Sequence, residues 1–155
     1  VFTAPESGDL GPDLVTVPLF EDAYRILVPN GHRLARAEQD PTLRDLRDES
    51  WVGGAGGSTW FRVVRDTCRA QGFEPHVGVV SDDHVAVQAF VAAGLGVAVV
   101  PGLASALRVR GVTARDVRGP GPVRQLAVAL PVSDYRTAAT TRMTELLQRA
   151  TRGRR

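Results

Sequence analysis

From Leu95 to Val100 the sequence is apolar without a break apart from Gly96, and it stops at Pro101-Gly102. A continuous apolar run of strand length, closed by turn residues, describes a strand covered on both faces, as in the middle of a parallel sheet. The preceding segments supply the cover. Ser81-Asp82-Asp83 is an N-cap cluster, and Val85, Ala86, Ala89, Phe90 and Ala93 then carry one apolar helical face as far as Gly94. Before that, His76 to Val80 has the β-branched content of a strand. Further upstream, Trp51-Val52 reads as a brief buried strand, and the loop Gly53 to Thr59 leads into a helix over about 59–71 with Trp60, Val63, Val64, Thr67 and Cys68 at helical spacing and Gly72 at its end. The order β-α-β-α-β predicts an α/β domain.

The flanks carry further elements. Asp9 to Pro12 is a turn, Leu14 to Phe20 and Tyr24 to Pro29 read as two strands around Glu21-Asp22, and Thr42 to Asp48 forms a short helix. A short helical piece is expected near Leu103 to Leu107 and a strand from Val123 to Leu130. The last element is a helix from near Ser133-Asp134, with Ala139, Met143, Leu146, Leu147 and Ala150 on one stripe.

Composition removes several classes of chemistry. All 19 basic residues are arginine, so Schiff-base catalysis, Ser-Lys dyads and the lysine of a Walker loop are absent. Cys68 is the single cysteine, which allows no internal disulfide and suits the cytoplasm. No apolar stretch reaches the roughly 18 to 20 residues that cross a bilayer, so no membrane role is expected. Residues 1–107 hold 8 Arg against 14 acids, and residues 108–155 hold 11 Arg against 3 acids. The basic C-terminal third lacks interleaved aromatics and reads as solvated surface rather than a nucleic-acid strip.

Catalytic patterns are poor. His32, His76 and His84 have no metal spacing, no serine lies in G-x-S-x-G, and Cys68 falls on the apolar stripe of its helix. Neither a metal nor a cofactor is expected. The glycine loop before Ser58-Thr59 lacks the Walker pattern, yet it leaves backbone N–H groups facing the positive end of a helix. With Ser81-Asp82 it gives two helix starts at the C-terminal ends of adjacent parallel strands, where open α/β sheets bind ligands. Ordinary capping is the competing explanation for both.

The motifs also come in a telling order. Leu19-Phe20-Glu21-Asp22, Gly31-His32-Arg33-Leu34-Ala35, Leu43-Arg44-Asp45-Leu46 and Gly72-Phe73-Glu74-Pro75 are followed by Val91-Ala92-Ala93-Gly94-Leu95-Gly96-Val97-Ala98-Val99-Val100-Pro101. Over nearly the whole chain this resembles the effector-binding domain of LysR-type transcriptional regulators; Arg33 stands where the family usually has proline. The resemblance implies a periplasmic-binding-protein-like (type 2) two-lobe fold, here truncated at the N-terminus. Residues 1–27 would be a remnant of lobe I with the first crossover, 28–116 lobe II, 117–150 the second crossover and return to lobe I, and 151–155 a disordered basic tail.

By the same resemblance, Ser58, Thr59, Trp60, Ser81, Asp82 and His84 would border an inter-lobe cleft, with Thr3 contributing from the other lobe. The partner would be a small effector, such as a carboxylate. DNA would be met only through a missing winged helix-turn-helix, in a cytoplasmic homodimer or homotetramer that is not an enzyme. The rival readings are an extracytoplasmic solute-binding protein, which a signal peptide in the full reading frame would favour, and a small-ligand enzyme working through Asp82 or His84.

Overall fold

The computed structural model describes residues 2–3, 12–107, 109–132 and 137–153, the first two by their backbone alone. In chain order they form β1 (Phe2–Thr3), β2 (Leu14–Pro29), β3 (Ser50–Gly53), α1 (Thr59–Ala70), β4 (His76–Val80), α2 (His84–Ala92), β5 (Ala98–Pro101), α3 (Gly102–Ser105), β6 (Val112–Asp116), β7 (Val123–Pro131) and α4 (Ala138–Thr151). Short 3-10 turns occupy Arg33–Arg36 and Leu43–Leu46. The chain divides into two compact units, residues 1–22 with 124–155, and residues 23–123. Most of the expected turn at Asp9 to Pro12, the expected helix start at Ser133-Asp134 and the last two residues of the tail lie outside the described residues.

In the larger unit, β3 and β4 pair in parallel, from Ser50 opposite His76 to Gly53 opposite Val80. Val97 joins β3 to the start of β5 through Val97 N–H to the Ser50 carbonyl and Val52 N–H to the Val97 carbonyl, both 2.8 Å. The second half of β2 then lies between β5 and β6, antiparallel to each. The sheet is therefore mixed, not parallel throughout. The expected buried strand over Leu95–Val100 holds only from Val97 onward: Ala98–Pro101 form β5 and are all buried, whereas Leu95 is 48% exposed, and the ladder partner β2 runs antiparallel.

Side-chain alternation sends each strand's apolar residues to two separate cores. Ile26, Val28, Trp51, Val97 and Val99 face α1, which contributes Phe61, Val64 and Cys68. Leu27, Val52, Ala98 and Val100 face α2, which contributes Val87 and Val91. The residues expected on the buried face of α2 are displaced by part of a turn: Val87, Gln88 and Val91 are inside, while Val85 is 49% exposed. This helix carries no charged residue after His84, so the sequence offers no polar face to orient it.

The smaller unit contains β1, the first part of β2, most of β7 and α4. Strand β7 pairs antiparallel with β1, Phe2 opposite Ala127. Glu21 and Asp22 do not divide two strands; β2 runs through them. The buried Asp22 carboxylate tolerates this position because Arg124 lies against it, Nη2 to Oδ2 2.8 Å, and a paired buried charge avoids the cost of an isolated one. The expected stripe of α4 is corrected as well. Met143 and Leu146 are 58% and 45% exposed, and the half-covered positions are Thr140, Thr144, Leu147 and Thr151. The hydroxyls of Thr144 and Thr151 bond back to the carbonyls four residues earlier, so their methyl groups can serve as the packing surface.

Two consequences can be measured. A Cβ on Gly96 would lie 2.5 Å from the Ser50 carbonyl oxygen; Gly96→Ala is expected to lower unfolding stability by about 2 kcal/mol or more in urea titrations. Asp45 accepts from the backbone N–H of Thr42 at 2.7 Å and from its hydroxyl at 2.8 Å, and the backbone bond leads in holding its carboxyl below the ordinary value. A depressed folded-state pKa contributes stability above the unfolded value that is lost as pH falls through the folded one. Below about pH 4 the Asp45→Asn protein should therefore lose stability less steeply than the parent.

Candidate functional site

Because β3 and β4 are parallel neighbours, the loops that leave them bring the starts of α1 and α2 to one edge of the larger unit. Ser81 N–H donates to the Gly53 carbonyl at 2.9 Å, and Ala55 N–H donates to Asp82 Oδ1 at 3.3 Å. Gly54 is the residue that permits this approach. A Cβ there would fall 2.6 Å from Ser58 Oγ and 2.9 Å from Asp82 Oδ1. One helical step on, the Trp60 and His84 rings meet edge to face with centroids 5.0 Å apart. Five of the expected residues, Ser58, Trp60, Ser81, Asp82 and His84, are thus gathered, and Thr59 opens α1 beside them. Thr3 belongs to the smaller unit, and its side chain lies outside the described residues.

The two helix starts differ in one respect that sequence did not reveal. Asp83, not Ser81 or Asp82, is the N-cap of α2: its carboxylate accepts from Val85 N–H at 2.7 Å and Ala86 N–H at 3.3 Å. Ser81 Oγ accepts from Asp83 N–H at 3.2 Å. Ser58 occupies the N-cap position of α1, yet its side chain makes no capping bond. The first-turn N–H groups of Thr59, Trp60 and Phe61 consequently find no acceptor among the described residues. No acidic residue lies in that turn itself, and the nearby Asp82 carboxylate is bonded to the preceding loop rather than to these N–H groups. Trp60 adds a further donor, since its indole Nε1 is buried without a hydrogen-bond partner. Buried polar atoms of this kind are uncommon in folded proteins and call for a cause. A glycine loop before a helix signals the open start, but whether a serine hydroxyl turns toward the helix is a rotamer choice that spacing does not encode.

Of the other two histidines, the His32 ring is held by local contacts among the described residues and the His76 ring is not. Leu34 N–H donates to His32 Nδ1 at 3.2 Å, leaving Nε2 to meet Glu49 at 3.1 Å; His76 is exposed on β4. The Arg65 guanidinium lies 5.6 Å from the Phe61 ring centroid, and Arg62 is exposed. Among the described residues no cluster of three or more His, Cys, Asp or Glu could hold a metal. Nor is any described helix long and apolar enough to cross a membrane.

Sheet order and the two helical covers define an α/β domain, and its likeness to solved LysR effector-binding domains makes the fold periplasmic-binding-protein-like (type 2). The chain belongs to the LysR substrate binding domain family, whose model matches residues 1–152; it is an effector-binding domain of the LysR regulator type. It is 31% identical over 138 residues to a malonate utilization transcriptional regulator of Klebsiella pneumoniae, covering 89% of this chain and 43% of that protein. The chain thus spans less than half of that relative's length. Among solved structures it resembles the Synechocystis PCC6803 CcmR regulatory domain in complex with 2-PG, with a TM-score of 0.79, 19% identity, and coverage of 98% of this chain and 72% of that one. It also resembles the BenM effector binding domain with its effector benzoate, with a TM-score of 0.76, 18% identity, and coverage of 90% and 64% respectively.

Cys68 gives a check on the core beside this site. It is fully buried, and burial leads in pushing its thiol up to about 12. Since the thiolate is the reactive form, a thiol reagent should modify Cys68 no faster than the larger unit opens, and labelling should speed up in step with denaturant-induced unfolding.

Proposed function

We propose that this chain is the sensing part of a transcriptional regulator, in which a small anionic molecule bound at the start of α1 alters how an attached winged helix-turn-helix engages DNA. The observation that carries this reading is the uncapped first turn of α1, set beside the self-capped start of α2. Three free N–H groups at a positive helix end form an anion-binding arrangement, and Trp60 Nε1 is a fourth donor in need of an acceptor. Asp82 is already engaged by Ala55 N–H, which directs a negatively charged ligand toward Thr59 to Phe61 rather than into the 54–57 loop. That BenM takes benzoate, a carboxylate, agrees with this choice.

Ser58, Thr59, Trp60, Ser81, Asp82 and His84 are the residues we assign to the site; Thr3 enters only through the family resemblance. The mechanism is a shift in population. A ligand that contacts two arrangements of the domain differently changes their ratio, and no bond is broken. In the same reading the regulator is a cytoplasmic homodimer or homotetramer and not an enzyme.

A thermal-shift screen against small carboxylates tests this, with a Ser58→Ala/Thr59→Ala variant alongside. A ligand at a hundred times its Kd should add about 2.7 kcal/mol of stability. The gain should shrink in the variant, and more so on Trp60→Phe, which removes the indole donor and keeps the ring. An acid that stabilises parent and variants equally would place its site elsewhere.

A further inference from the structure

The larger unit holds a second concavity of about 520 Å³, and none of the residues assigned to the effector site lines it. Its floor is the β2–β6 pair. The register sets Arg25 against Asp116, Leu27 against Ala114 and Pro29 against Val112, so Arg25, Leu27, Val112 and Ala114 share one face. Gln88 and Ser105 stand in the facing wall. Both are buried and both are satisfied within that wall. Gln88 Nε2 donates to the Ala104 carbonyl at 3.1 Å while its Oε1 accepts from Val109 N–H at 3.4 Å, and Ser105 Oγ donates to the Gly102 carbonyl at 2.7 Å. These bonds tie α2 to Ala104 and Val109, which gives the pocket a built wall.

Arg25 is the exception. Asp116 Oδ1 lies 2.9 Å from its Nε, but the buried Nε–H makes no hydrogen bond, so the pair brings charges together without aligned donation. Neither Nη group has a hydrogen-bond partner among the described residues. Asp116 is itself 70% exposed in its side chain and can turn into water at little cost. A half-buried guanidinium with an unused fork matches a carboxylate, and the apolar floor matches a short hydrocarbon body. The volume falls within the roughly 300–1,000 Å³ common for small-molecule sites.

We propose that this pocket is a second ligand site, separate from the start of α1, for a small organic acid whose carboxylate takes the Nη fork of Arg25 and whose apolar part lies on Val112 and Ala114. The test is an amide-resolved NMR titration of the chain with hexanoate, and with 1-hexanol as the uncharged probe. Hexanoate should move the Gln88 side-chain amide and the backbone amides of Ser105 and Thr113 saturably, with a Kd on the order of 1 mM. Hexanol should move them far less. Arg25→Gln should weaken hexanoate roughly tenfold or more, and Ala106→Trp, at an exposed lining position, should block it by filling the pocket. If Arg25→Gln fails to fold, Ala106→Trp decides alone. Equal response to hexanol, unchanged binding in both variants, or shifts confined to Thr59, Trp60 and Phe61 would each overturn the proposal. The last of these would still leave the reading of the α1 site standing.

Discussion

Two backbone hydrogen bonds on either side of Val97, to Ser50 and from Val52, join the parallel pair β3–β4 to the antiparallel strands that follow. Without them the larger unit would be two separate sheets, each with an unpaired edge. The junction needs Gly96, since the Ser50 carbonyl occupies the space a side chain would take. Once it forms, β3, β5 and β2 present alternate residues to α1 and α2, and the two cores follow from the alternation alone. The parallel pairing of β3 with β4 aligns their ends, and so places the starts of both helices at one edge.

At that edge, similar sequences produce unlike chemistry. Ser81-Asp82-Asp83 and Gly57-Ser58-Thr59 both look like helix caps, yet only Asp83 closes its own helix. Asp82 reaches across to the other loop, and Gly54 leaves it the room. One helix start is therefore completed by the chain and the other is left open. The contact between Asp82 and the other loop is one that neither segment contains by itself.

Much of the architecture could be read from residue patterns because local and global preferences agree there. The limits of α1 and β4 follow from the glycine loop, Gly72 and the β-branched run, and the burial of β5 from its lack of polar residues. The readings that failed share a cause. β2 was split because two acids interrupt an apolar pattern, and only a distant Arg124 makes Asp22 acceptable inside. The faces of α2 and α4 were misplaced because the first is apolar nearly all round and the second packs through threonines. β6 went unseen because its half-buried Val-Thr-Ala-Arg-Asp has weak alternation and is held by pairing with β2. At the edge where α1 and α2 begin, the participating segments were legible, whereas the open hydroxyl of Ser58 and the orphan indole of Trp60 were not. The Arg25 pocket had no local signature, since Arg25 and Leu27 lie more than sixty residues before every other residue that lines it.

The threonine face of α4 bears on how the smaller unit opens. Leu147 is the one leucine among its four covered positions, and a threonine that already bonds its own helix exposes little more than a methyl group when the helix lifts away. No residue of α4 is fully buried, which places its amides at the shallow end of the hydrogen-exchange spectrum.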